Sequence, residues 1–197
     1  ANLPEPTIGA NSDTQADDHF NTVLYSGDSS TGNAITGVGF QPDWLWIKHR
    51  SGTSNHVLQD SSRGIDGGEY LQMYSDATSA ETTQGDGDGV LSLGSDGFTV
   101  SYNNSGAWNQ SGQTYVSWNW KANGGTTSSN SDGSITSTVQ ANTNAGFSIV
   151  TYTGTGANAT VGHGLGVVPQ MFIVKNRDSA ESWLVYHHKN TSAPETD

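Results

Sequence analysis

"GFQPDWLWIKHR" occupies residues 39–50, and "GVVPQMFIVKNR" occupies residues 166–177. The two stretches carry Gly, Pro, Lys and Arg at the same internal positions, 127 residues apart. Each reads as a β-strand behind a tight turn. The Gly-x-Gly lead-in suits positive φ, the Pro fixes the backbone where the strand begins, and the residues that follow are aromatic, aliphatic or β-branched. "DWLWIK" and "MFIVK" are apolar on both faces, the pattern of a strand covered on two sides.

The echo extends outward from this motif. The same offset pairs Phe20 with Phe147, Val23 with Val150, Tyr25 with Tyr152 and Gly27 with Gly154. It continues through Gly37 with Gly164, Gly39 with Gly166, Pro42 with Pro169, Lys48 with Lys175 and Arg50 with Arg177. That makes nine identities over the 31 positions from 20 to 50, where chance gives roughly two. No net gap is needed, so the chain contains a tandem repeat. The reading divides it into an N-terminal linker (1–19), a first β module (20–121), a Ser/Thr/Gly-rich linker with a lead-in strand (122–146) and a second copy (147–197).

Other segments fill in the unit. "NTVLYSG" and "FSIVTYTG" end in a turn-forming Gly, and "GFTVSY" (97–102) and "TYVSWNW" (114–120) are late strands of the first copy. Their counterparts would fall at about 224–229 and about 241–247 on the repeat period, so the second copy is expected to be incomplete and the sequence a piece of a longer one. In "YVSWNWK", Val116, Trp118 and Trp120 share one face, and Tyr115, Ser117, Asn119 and Lys121 the other. No window carries sustained helical periodicity with caps. The expected fold is all-β, with tandem β-sandwich or jelly-roll-like modules and an incomplete second module.

Composition bounds the function. Hydrophobic residues make up only 32%, but six Trp, seven Tyr and five Phe offer large buried areas. Seven Lys plus Arg against nineteen Asp plus Glu give a net charge of −12, and no basic stripe exists for nucleic acid. The longest apolar run, "MFIV" at 171–174, is too short to insert in a membrane as a helix. Absence of cysteine excludes disulfides, thiolate nucleophiles and Cys-based zinc sites.

Few residues suggest chemistry. "QGDGDGV" (84–90) places Asp86 and Asp88 among glycines like the start of a calcium loop, but the later ligands of an EF-hand are missing. A solvated loop is the simpler reading and a weak cation site the alternative; no metal or cofactor is expected. No GxSxG elbow, P-loop or HExxH is present, and no catalytic residues are assigned. The histidines read as surface or hydrogen-bonding groups. Lys48, Arg50, Lys175 and Arg177 place four of seven basic residues at matching repeat positions. They are expected to pair with acids such as Asp43, Asp60 or Asp178, or with carbonyls. The alternative for Arg50 and Arg177 is contact with an anionic glycan or a protein partner. In "DSSRG" (60–64), Arg63 is expected to tie a bend back to a carboxylate or carbonyl. Among the tryptophans, Trp44 and Trp46 align with Met171 and Ile173 and are expected in the core. Trp108, in the polar loop "NNSGAWNQSG", is the one expected to be exposed for ligand stacking.

The long motif "AITGVGFQPDWLWIKHRSGTSNHVLQDSSRG", with "YVSWNWKA" and "GFSIVTYTGTGANATVGHGLGVVPQMFIVK", resembles a β-rich repeat module of tailed-phage structural proteins, above all marine and cyanobacterial ones. The opening "ANLPEPTI" resembles the exit from a SPRY or lectin-like domain. The resemblance implies a non-enzymatic virion component: a tail fibre, spike or capsid-decoration subunit on the virion surface. It further implies other virion subunits as partners, a homo-oligomer, and a contribution to host attachment. A carbohydrate-binding adhesin recognising a host-surface glycan is the alternative expectation.

Overall fold

The computed structural model describes residues 15–83, 85, 87–102 and 106–190. The opening segment through residue 14 and the candidate Asp86 therefore lie outside the described residues. Apart from one 3-10 turn at Ala16–Asp18, the regular structure among the described residues is all strand. The first unit contains β1 (Phe20–Ser26), β2 (Asn33–Thr36), β3 (Trp44–His49), β4 (Val57–Asp60) and β5 (Ile65–Asp66). It continues with β6 (Glu69–Tyr70), β7 (Gln72–Tyr74), β8 (Gly89–Gly94), β9 (Gly97–Ser101) and β10 (Thr114–Trp120). The second holds β11 (Ser128–Asn130), β12 (Ser137–Asn142), β13 (Phe147–Thr151), β14 (Met171–Val174) and β15 (Leu184–His187).

In the first unit a five-stranded antiparallel sheet, β1-β10-β3-β4-β7, faces a three-stranded sheet, β2-β9-β8. Leu45, Ile47 and Val57 project from the larger sheet into a cluster with Ile35, Phe98 and Val100 from the smaller. Fully burying such a side chain is worth roughly 1.5–3 kcal/mol, so this shared layer holds the two sheets together as a sandwich. Trp108 lies in the same cluster with no exposed surface, which corrects the expectation that it is exposed. Its loop is folded inward by specific bonds. Tyr25 Oη donates to the Trp108 carbonyl (2.9 Å), and the wholly buried Asn109 bonds Asp28, Ser30 and Asn33.

The second unit repeats one hairpin of the first residue by residue. Across β3 and β4, Trp44 faces Asp60 and Ile47 faces Val57. Across β14 and β15, Met171 faces His187 and Val174 faces Leu184, which are the same pairs displaced by 127 residues. The lead-in turns match as well: Gly37 and Gly39 have φ of +88° and +84°, Gly164 and Gly166 +72° and +74°. Lys48 Nζ donates to the carbonyls of His49, Gly52 and Ser54, and Lys175 Nζ to those of Asn176 and Ser179. The lysines thus close the turn after the strand by binding carbonyls, one of the two partner types expected.

Two expectations need correcting. Residues 122–133 do not form a loose linker. Asp43, wholly buried, accepts backbone N–H bonds from Ala122 (2.7 Å), Gly124 (2.9 Å) and Gly125 (2.8 Å). Gln140 Oε1 accepts from Asn123 and Gly125, and β11 then pairs with β12. Asp43 therefore binds backbone amides rather than a basic side chain. The second correction concerns "MFIVK". Unlike β3, β14 is covered on neither face: Met171, Phe172 and Ile173 are 50%, 48% and 44% exposed.

Candidate functional site: an aromatic platform on the outer sheet face

The alternation of β10 places its small and polar residues inward. Tyr115, Ser117 and Asn119 are buried, with Asn119 Nδ2 satisfied by the Asn21 carbonyl (3.1 Å) and Ser117 Oγ (3.0 Å). Trp118 and Trp120 consequently face outward, half-buried. On the neighbouring β3, burial of Leu45 and Ile47 sends Trp44 and Trp46 to the same outer face, also half-buried. Trp44 and Trp46 are thus not in the core. Antiparallel register sets Trp118 opposite Trp46, and Trp120 opposite both Trp44 and Phe20.

A continuous aromatic surface results. Ring centroids are separated by 4.8 Å for Phe20–Trp120, 4.5 Å for Trp120–Trp44, 6.2 Å for Trp44–Trp46 and 5.8 Å for Trp46–Trp118. Trp46 Nε1 donates to His56 Nδ1 (3.0 Å), which orients the indole and makes that imidazole nitrogen an acceptor. Phe147, the first residue of β13, lies 6.1 Å from Trp44 and 6.4 Å from Trp120. The second unit therefore meets one end of the platform. Such a surface offers π-faces and apolar area to a flat partner.

A second junction joins the units by charge. Arg63, whose side chain is almost wholly buried, binds Asp60 and donates to Glu81 Oε1 (2.9 Å) and the Leu58 carbonyl (3.2 Å). This is the tie expected of that bend. Arg177 reaches the same Glu81 carboxylate through Nε and Nη2, the latter at 2.7 Å. Burial alone would raise the Glu81 carboxyl, but hydrogen bonds from Arg177 and Arg63, with their two charges, hold it below the usual carboxylate range. The backbone reinforces the contact, since Glu81 N donates to the Arg177 carbonyl (2.8 Å). Trp183 Nε1 donates to the carbonyls of Tyr74 (2.9 Å) and Ala77 (3.0 Å).

Of the sequence candidates, Arg177 is thus engaged within the chain, through Glu81 rather than Asp43, Asp60 or Asp178. Arg50, its counterpart, is exposed, and its side chain makes no hydrogen bond or ion pair among the described residues. Asp88 is buried rather than solvated. Among the described residues no group of three or more His, Asp or Glu is arranged to hold a metal ion. Sequence reading did not single out Glu81 or Trp183 as junction residues. Trp183 aligns with His56 and Glu81 lies beyond the aligned strands, so the repeat gave no cue to either.

The model of the family "Domain of unknown function (DUF7483)" matches residues 15–196, a span that includes both units. The chain belongs to that family. Neither a curated protein nor a solved structure matches this DUF7483 chain. The aromatic platform and the Glu81 junction are therefore features of a DUF7483 domain read directly from its own residues.

Proposed function

We propose that this DUF7483 chain is a non-enzymatic structural module of a tailed-phage virion, a fibre, spike or capsid-decoration subunit whose tandem β units lie at the particle surface. The observation that carries this reading is the lateral locking of two register-matched units. Glu81 is shared by an arginine from each unit, and Phe147 rests beside the Trp44–Trp120 pair. Repeated modules joined through side chains rather than through a flexible linker suit an element that must hold a shape outside a cell. The resemblance of the long motif to phage repeat modules supports the same reading. The acidic, Lys/Arg-poor composition suits a surface facing solvent more than one facing nucleic acid. Gold-labelled antibodies raised against residues 15–190 test it on intact particles of the source phage. Regular surface labelling is the expected result; unlabelled particles, with the antigen confined to the soluble lysate, would refute it.

The half-exposed Trp row favours carbohydrate binding as a second reading. An aromatic surface of this kind can stack against the flat faces of sugar rings, as a host-glycan adhesin requires. A glycan array on the folded chain should then give hits that Trp120→Ala removes while thermal unfolding stays cooperative. An array blank at high protein concentration would leave the platform as a packing surface.

A further inference from the structure

In the first unit, β10 lies between β1 and β3 and makes them part of one sheet. Their counterparts in the second unit, β13 and β14, stand in separate sheets. β14 pairs with β15 in the same register by which β3 pairs with β4. The hydrogen-bonding phase is the same too: His188 N donates to the Gln170 carbonyl just as Ser61 N donates to the Asp43 carbonyl, one repeat earlier. The edge of β14 that turns away from β15 is therefore the edge that β10 occupies on β3. Among the described residues that edge pairs with nothing.

The side chains along it are apolar and wet. Leu45 and Ile47 of β3 are 0% and 1% exposed, whereas Phe172 of β14 is 48% exposed and Leu184 beside it 64%. A bare apolar edge is a template for strand addition. The first unit shows which strand fits: one with large aromatics on the outer face, and small or polar residues opposite the apolar pair of its neighbour.

We propose that β14 is an acceptor edge for an added antiparallel strand of the β10 pattern, an extended polypeptide segment outside residues 1–197 that alternates large aromatic with small polar residues. Transferring the β10–β3 register to the second unit sets the aromatics of this strand beside Met171 and Ile173. Its small residues fall beside Phe172 and Val174. The backbone phase assigns the N–H groups of Met171, Ile173 and Lys175 to the new pairing, because those of Phe172 and Val174 face β15. The occupant completes a sheet, and the inference holds whichever reading of the aromatic platform is right.

A synthetic peptide with the sequence of residues 112–122, GQTYVSWNWKA, is the probe. Hydrogen exchange on the 197-residue chain should slow at least tenfold at Met171, Ile173 and Lys175 when the peptide is added. A scrambled peptide, and one carrying W118P, should leave those amides unchanged. On the acceptor side, Ile173→Pro removes an edge-facing donor while sparing the bonds to β15. It should abolish the effect of the peptide with the circular dichroism of the free chain unaltered. The proposal is overturned if the peptide leaves all three amides unchanged, or if I173P responds like the parent chain. It is equally overturned if the three amides are already slow in the peptide-free monomer, or if their protection appears only in a dimer and is lost on dilution, because a second copy would then be the occupant.

Discussion

β3 and β14 begin from the same turn, are fixed by the same lysine and pair with the next strand in the same register, yet they lie in opposite environments. β3 has a neighbour on each edge, a core layer below and the Trp platform above. Among the described residues β14 has one neighbour, and its side chains are solvated on both faces. Backbone geometry in this fold is thus set locally, by the Gly-x-Gly turn, the proline and the lysine-to-carbonyl bonds. Burial is set by which other strands are present. A strand can be correctly shaped and correctly phased while most of its stabilisation comes from elsewhere.

The comparison breaks most directly by truncating equivalent side chains. Leu45→Ala, at a fully buried position, should destabilise the chain by about 3–5 kcal/mol. Phe172→Ala, one repeat later and half-exposed, should cost about 1 kcal/mol or less. Urea unfolding of the two variants measures this, and equal losses would mean that β14 is covered in solution. Next in size is Asp43→Ala, which removes a wholly buried carboxylate and leaves the amides of Ala122, Gly124 and Gly125 without their acceptor. A loss of about 3 kcal/mol is expected. Faster exchange should be confined to 122–126 if that turn is held as described.

The glycine turns reverse the order between units. Gly37→Ala and Gly164→Ala each place a side chain in the left-handed region, a cost of roughly 1–2 kcal/mol. A Cβ on Gly37 meets nothing within 4 Å, whereas on Gly164 it would lie 2.8 Å from Val139 Cγ1. G164A should therefore be the worse variant by about 1 kcal/mol, readable as a lower urea midpoint. The smallest effect belongs to the junction. Glu81→Gln should lower stability at pH 7 by about 1 kcal/mol, since Arg177 is partly solvated. The folded carboxyl titrates below its unfolded value, so the ion-pair contribution is complete above roughly pH 4.3 and fades as pH falls through the folded value. Parent and E81Q stabilities should converge in acid; a constant gap down to pH 3 would contradict the assignment.

Much of the fold was legible because the repeat is written in residues with strict backbone demands. Gly37, Gly39, Pro42 and Lys48 recur at fixed spacing, and the turn, the strand and the lysine contacts followed from them. The platform was legible only in part. Alternation correctly grouped Trp118 with Trp120, but alternation does not say which face is the core. In the fold Trp108 enters from a polar loop into the core of the sandwich, and Tyr115, Ser117 and Asn119 line the inner face of β10. Hydropathy of the surrounding loop pointed the wrong way because Asn109, itself polar, is satisfied by four bonds that draw the loop inward. The Glu81 junction depends on a residue outside the aligned strands meeting one 96 positions later. Neither spacing nor periodicity carries that information.

The placement of the six tryptophans also sets three different environments for the optical signal of the molecule. Trp44, Trp46, Trp118 and Trp120 sit within energy-transfer distance of one another along one face, and the 4.5 Å Trp44–Trp120 pair is close enough for exciton coupling in the near ultraviolet. Trp108, with no exposed surface, should emit from a dry interior. Trp183, hydrogen-bonded across the junction, should report on the seam between the units. A ligand on the platform should quench the coupled group and leave the blue-shifted Trp108 component untouched. Separation of the units should redden Trp183 and also perturb Trp44 and Trp120, which lose their contact with Phe147, whereas the Trp108 component should shift only on unfolding.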